Sequence, residues 1–201
     1  MERMKFITTT ALAAVAVSSF GRALKKDDNS FEGDCKTTKD ILGPFYRPNA
    51  PIRKNLNTDD IEGAVLDISG VVFGNDCVTP LKNVEVEIWH CDTKGEYDNT
   101  SDAFHQRARV FTNSKGQYRF KTIFPGKYLN GATYRPAHIH FRVSSPQTKE
   151  LVSQVYFKND PDIGNDQWAS SAKAKHRVLS LIPKGHSGEL SVEFNVYLEG
   201  K

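Results

Sequence analysis

The chain has 201 residues, 38% apolar and 10% aromatic, which suits one domain with its own core and excludes a disordered or low-complexity chain. Charge is nearly balanced, with 27 Lys and Arg against 24 Asp and Glu for a net +3, and no basic block marks a nucleic-acid partner. No uncharged stretch reaches the roughly 20 apolar residues of a membrane span, and there is no glycine-rich phosphate loop.

The chain opens with Arg3 and Lys5, then runs uncharged from Phe6 to Gly21 through the small-x-small pattern Ala14-Val15-Ala16. A positive start, a short apolar stretch and small residues predict an export signal over residues 1–21. Met4 stands where a second arginine would complete a twin-arginine signal, so the export route stays open. Residues 22–63, rich toward their end in Pro, Asn and Asp, read as an irregular arm. Cys35, Cys77 and Cys91 fit an oxidising compartment with one bridge and one thiol left over, the alternative being three reduced cysteines. Cys77 and Cys91 bracket a predicted strand, Val84–His90, whose ends lie roughly 20 Å apart, whereas bridged Cα atoms sit about 5.5 Å apart. A bridge involving Cys35 is therefore expected, its partner left open.

From residue 64 the pattern has period two. Val84, Val86 and Ile88 alternate with Glu85 and Glu87; Tyr118 and Phe120 with Arg119 and Lys121; Ile139, Phe141 and Val143 with His138, His140 and Arg142. Further strands are predicted over Ala64–Phe73, Arg107–Phe111, Leu151–Phe157, Arg177–Ile182 and Glu189–Leu198. Turn signals separate them, among them Asn113-Ser114-Lys115-Gly116 and Pro183-Lys184-Gly185. About eight short strands without a long helical pattern predict an all-β fold, an antiparallel β-sandwich over residues 64–201.

Residues two apart on a strand share a face, so His138 and His140 project together while Ile139, Phe141 and Val143 enter a core. Two imidazoles on one rigid strand suit a metal ion. Pro136 keeps Arg135 extended and places Tyr128 and Tyr134 on a loop feeding that strand, while a second loop, Cys91–Tyr97, turns at Gly95. Loops at the end of a sandwich carry ligand groups. His90, His105, His176 and His186 have no partner at chelating spacing and are expected mostly in solvent.

The runs Pro125-Gly126-Lys127-Tyr128 and Arg135-Pro136-Ala137-His138-Ile139-His140-Phe141 resemble the iron-binding region of the intradiol ring-cleavage dioxygenases, the group that contains protocatechuate 3,4-dioxygenase. Leu42-Gly43-Pro44-Phe45-Tyr46, the run from Val84 to Trp89 leading to Gly95-Glu96-Tyr97, and Gln154-Val155-Tyr156-Phe157 with Asp160-Pro161 extend the resemblance over residues 40–162. It implies a non-haem Fe(III) held by Tyr97, Tyr128, His138 and His140, with Tyr128 serving as both ligand and base. Arg135 would stabilise negative charge on the substrate; Gln154, Trp89, Gly43, Pro44 and Tyr46 would lie at the substrate pocket; Tyr134 matches a non-ligand position. The implied reaction joins a catechol-type substrate and O2 into a cis,cis-muconate-type diacid. The loop from Tyr128 to His138 looks shorter than in the protocatechuate enzymes, which bears on pocket shape. With about 40 residues before the matching region, no helical dimerisation domain is expected there. That favours a protocatechuate-like or exported single-domain type, with a homodimer or a related second chain both open. The rivals are a secreted, non-catalytic sandwich binding module and a copper or zinc site using the histidine pair alone.

Overall fold

In the computed structural model residues 23–25, 31–33, 35–56, 62–185 and 188–201 are described; the predicted export signal and His186 lie outside them. Two short strands, β1 (Ala23–Lys25) and β2 (Phe31–Gly33), pair antiparallel within the segment expected to be irregular. The period-two segments then become β3 (Val65–Phe73), β4 (Glu85–Trp89), β5 (Arg107–Phe111) and β6 (Gln117–Ile123). After a two-residue pair, β7 (Leu129–Asn130) and β8 (Thr133–Tyr134), come β9 (His138–Ser144) and β10 (Leu151–Phe157). The chain ends in β11 (Val178–Leu179), β12 (Ile182–Lys184), β13 (Glu189–Glu193) and β14 (Val196–Tyr197).

Two sheets face each other, as the all-β expectation requires. The first has the order β11-β10-β9-β4-β5; the second is built on β3, antiparallel to β6, with β13 and then β12 beyond. Apolar residues alternate onto the facing sides, and Leu66, Ile68, Val86, Ile88, Phe120, Ile139, Phe141 and Val192 close the space between them. Burying such side chains contributes on the order of 1.5–3 kcal/mol each before entropy is charged against it. The pairing is not purely antiparallel: β13 and β14 run parallel to β3, and β11 parallel to β10. The predicted strand Glu189–Leu198 breaks at Phe194 and Asn195, where the Asn195 side chain accepts the Val71 N–H in place of a strand partner. The predicted strand Arg177–Ile182 also divides. It starts as the end of a short 3-10 helix, Ala172–Arg177, pairs briefly as β11 in the first sheet, and crosses to the second as β12. Pro183 is tolerated because β12 is an edge strand.

Residues 35–56 form no long strand but cover the outer face of the first sheet. Asp40 N–H donates to Val152 of β10, Arg109 N–H of β5 to Pro51, and Leu56 N–H to Lys121 of β6. The segment thus enters at β10, crosses β9 and β4, and leaves around the β5 edge. Its start is tied by a disulfide, Cys35–Cys77, with Cα atoms 6.0 Å apart, which resolves the open pairing; Cys91 is the buried free thiol. The bridge closes a span of 42 residues, for which loop entropy gives about 4 kcal/mol of stabilisation. Cys77→Ser with Cys35→Ser is expected to lose that amount in a denaturant titration. An unchanged midpoint would mean the bridge contributes nothing to global stability.

Candidate metal centre

The site starts from β9. Ile139, Phe141 and Val143 point into the inter-sheet core, and the intervening His138 and His140 share the opposite face. That face would be half solvated on a bare sheet; here the arm covers it, and both histidines are fully buried. Gly43 makes this closeness feasible. Its φ is +75°, and a Cβ there would sit 2.9 Å from Cε1 of His140, so glycine answers both the left-handed backbone and the contact.

Two loops bring phenols to the imidazoles. Tyr97 follows the turn at Gly95 and Tyr128 follows Gly126, and the loops interlock through these glycines. A Cβ on Gly95 would lie 2.3 Å from the Lys127 carbonyl oxygen, and one on Gly126 would lie 2.3 Å from that of Thr93. Gly126 N–H also donates to the Asp92 carbonyl at 2.8 Å. Arg135 and Tyr128 are set opposite each other by a hairpin rather than the open loop expected. β7 pairs with β8 around Gly131, and Arg135 N–H donates to the Tyr128 carbonyl at 2.9 Å. Tyr134, in β8, is 54% exposed.

The four side chains converge. Tyr97 Oη is 3.3 Å from His138 Nε2, the two imidazole centroids are 5.1 Å apart, and the Tyr128 ring lies 6.0 Å from His138 and 5.9 Å from Tyr97. His138 Nδ1 lies 2.7 Å from the Pro136 carbonyl oxygen. A carbonyl only accepts, so the proton sits on Nδ1 and the Nε2 lone pair faces the cluster. Burial, reinforced by the charge of Arg135, pushes His138 down to about 4, and burial beside His138 holds His140 well below the ordinary histidine value. Both imidazoles are therefore neutral at physiological pH, the state in which they coordinate metals. His140 stacks on Trp89 with centroids 4.8 Å apart and 8° between planes, and its buried Nδ1 has no hydrogen-bond partner among the described residues. Burial raises Tyr97 well above the ordinary tyrosine value, so its phenolate needs a cation beside it. Among the described residues no three His, Cys, Asp or Glu side chains cluster to hold a metal. The donor set here is two neutral imidazoles and two phenols, which fits a hard, highly charged cation such as Fe(III).

Arg135 lies buried beside this cluster, its Nη1 3.5 Å from His138 Nε2. It is anchored by Asp166 (Nε to Oδ2, 2.7 Å), by Gln154 Oε1 (3.1 Å) and by Tyr156 Oη (3.3 Å), with Trp168 stacked 4.3 Å from its guanidinium carbon. Tyr156 donates to Asp40, which is in turn paired with Arg177 at 2.6 Å. Gln154 is engaged at both ends, since its Nε2 donates to the Ile41 carbonyl. It therefore braces Arg135 in this structure. Trp89 is buried behind His140 with Tyr46 edge-on to it, and Tyr46 donates to Glu87; Pro44 is exposed.

Asp166, Tyr156, Asp40, Arg177 and Phe45 were not expected at the site. Phe45 stacks on Tyr97 at 4.3 Å and meets Tyr128 edge-on at 5.4 Å; its place inside the Leu42–Tyr46 run was the available signal. The expectation of solvated histidines fails for His90. It continues the inward side of β4 after Val86 and Ile88, is buried, and hydrogen-bonds the Cys91 carbonyl and Thr122 Oγ1, with burial pushing it down to about 4. The alternation itself would have placed it inside. His105 is half-buried and His176 exposed.

A family model described as Dioxygenase matches residues 41–200. Catechol 1,2-dioxygenase 2 of Acinetobacter lwoffii is 33% identical over 65% of this chain and 54% of its own length; catechol 1,2-dioxygenase of Candida albicans is 30% identical over 69% and 52%. The chain thus spans about half the length of the curated relatives it matches. Among solved structures, the dioxygenase domain of a dioxygenase–carbohydrate-binding fusion from Streptomyces sp. SirexAA-E superposes with a TM-score of 0.73 at 30% identity, covering 83% of this chain and 99% of that one. Motifs, fold and relatives agree, and the chain belongs to the intradiol ring-cleavage dioxygenases.

Proposed function

We propose that the protein is an exported, non-haem Fe(III) dioxygenase that opens a catechol-type, protocatechuate-like ring between its two hydroxyls with O2, yielding a cis,cis-muconate-type diacid. The observation that carries this reading is the meeting of Tyr97, Tyr128, His138 and His140 beside the buried charge of Arg135. Export is supported by the Cys35–Cys77 bridge, which belongs to an oxidising compartment.

Tyr97, Tyr128, His138 and His140 would hold the iron, the two phenolates offsetting two of its three charges. When bound, ferric iron supplies Lewis acidity that draws electron density from the coordinated ring. Tyr128, less enclosed than the histidines, takes up a proton from a substrate hydroxyl at its phenol oxygen. Arg135 cannot neutralise itself, so it presents a fixed positive charge where negative charge develops on the ring, pre-set by Asp166, Gln154 and Tyr156. His138 keeps its Nε2 lone pair directed inward because Pro136 occupies its other nitrogen.

The test is iron loading followed by visible spectroscopy and oxygen uptake against catechol, 4-chlorocatechol and protocatechuate. A wine-red ferric phenolate band and uptake with at least one substrate are expected. Tyr97→Phe should lose or shift the band and cut turnover at least about tenfold, within the range for disturbed metal coordination. Protein that stays colourless and binds no iron after reconstitution would end this reading.

A further inference from the structure

Arg107, the first residue of β5, is 1% exposed, and its side-chain hydrogen bonds among the described residues all go to neutral oxygens. Nε donates to the Asp98 carbonyl at 2.8 Å, Nη1 to the Phe45 carbonyl at 2.6 Å, and Nη2 to Asn99 Oδ1 at 3.2 Å. The nearby carboxylate of Asp98 is used elsewhere, accepting from Ser101, His105 and Thr100 and facing Arg47 at 3.5 Å. Burial disfavours the charged guanidinium and the charge of Arg47 adds to that, while the negative forms of Asp98, Tyr97 and Glu87 oppose it.

The acceptors are informative as well. Asp98 directly follows Tyr97, and the ring of Phe45 lies flat on the Tyr97 ring. One guanidinium therefore holds the backbone beside this phenol and the backbone of the residue stacked on it. The connection back from Tyr97 to Arg107 is bent to allow this, with Phe104 and Gln106 both at φ +52°, a conformation non-glycine residues avoid and that clusters at functional sites. β4 and β5 put Arg107 opposite Trp89, which backs His140. Arg107 thus stands behind two of the four proposed ligands, reaching one through its loop and the other through the register of the sheet.

We propose that Arg107 is the positioning residue of the Tyr97 ligand, an interior cation that clamps the backbone directly after Tyr97 and the backbone of Phe45 and so fixes a positive charge at the Tyr97 loop. This rests on Tyr97 being an iron ligand. Removing the charge raises the energy of the phenolate electrons, so the transition from phenolate to iron moves to longer wavelength. Removing the fork loosens the ligand.

The experiment compares iron-loaded wild type, Arg107→Met and Arg107→Lys by visible absorption and by iron release to a chelator. Arg107→Met should show a band at longer wavelength and release iron at roughly tenfold lower chelator concentration, as for lost outer-shell partners. Arg107→Lys keeps the charge but not the fork, so its band should stay near the wild-type position while iron is again released more readily. If Arg107→Met does not fold, the lysine variant decides on iron release alone. A variant with wild-type band and wild-type retention overturns the proposal. A wild type with no visible band overturns the iron reading itself, a separate outcome.

Discussion

Asp166→Ala is expected to destabilise the protein by roughly 3–5 kcal/mol, the cost of leaving one member of a buried ion pair alone. Arg135 and Asp166 expose only 4% and 2% of their side chains, so water cannot take the place of the lost carboxylate. Asp166 also accepts the N–H groups of Trp168 and Ala169, so truncation frees two backbone donors as well. Burial alone would raise the Asp166 carboxyl, but the guanidinium and those N–H groups outweigh it and hold the pKa below the usual aspartate value. A depressed folded pKa contributes stability that is present above the unfolded value, about 3.9, and lost as pH falls through the folded one. Wild type should therefore lose stability below about pH 4, and Asp166→Asn should flatten that slope. In the iron-loaded enzyme Asp166→Asn should keep its colour, because no ligand is touched, while turnover falls about 10²-fold as Arg135 loses its orientation. Denaturant midpoints across pH, with oxygen uptake, measure both. Undiminished turnover in Asp166→Asn would show that Arg135 needs no anchoring.

The same network shows where the sequence was legible. The His138-x-His140 spacing placed both imidazoles on one face because strand geometry is local, and the strands Arg107–Phe111 and Leu151–Phe157 match in full. What local pattern could not supply is the cover. The outer face of β9 reads as polar, and becomes interior only because Gly43 and Tyr46 arrive from an arm about a hundred residues earlier. The brace on Arg135 has the same character. Asp40 meets Tyr156 across 116 positions and Arg177 across 137, with no periodicity to announce either pair. Cys35–Cys77 lay between these cases, since strand length argued against Cys77–Cys91 without selecting between the pairings left to Cys35. Parallel pairing of β13 and β14 with β3 was missed for a different reason. Alternation reports which face a residue takes, and is silent on the direction of the neighbouring strand.

Gly95→Ala should be among the most damaging single-methyl changes in the chain, and three glycines allow its cause to be separated. Gly131 has φ +66° with nothing within 4 Å of where a methyl carbon would stand, Gly126 has no positive φ but would place a Cβ 2.3 Å from the Thr93 oxygen, and Gly95 combines φ +87° with a Cβ 2.3 Å from the Lys127 oxygen. Gly131→Ala therefore tests backbone strain alone and should cost about 1–2 kcal/mol, leaving colour and iron retention as in wild type. Gly126→Ala tests the backbone clash alone, for which overpacking suggests about 1–3 kcal/mol. Gly95→Ala carries both and should approach their sum, since the opposing atom is a main-chain oxygen that cannot rotate away. The functional readout distinguishes space from strain more sharply. Gly95 and Gly126 hold the Tyr97 and Tyr128 loops in backbone contact, so either substitution spreads the two phenols. Iron should then be released at roughly 10- to 100-fold lower chelator concentration, with the visible band weakened in proportion to the iron lost. If Gly95→Ala keeps wild-type colour and loses no more stability than Gly131→Ala, the interlocked loops are not what brings the two phenols together.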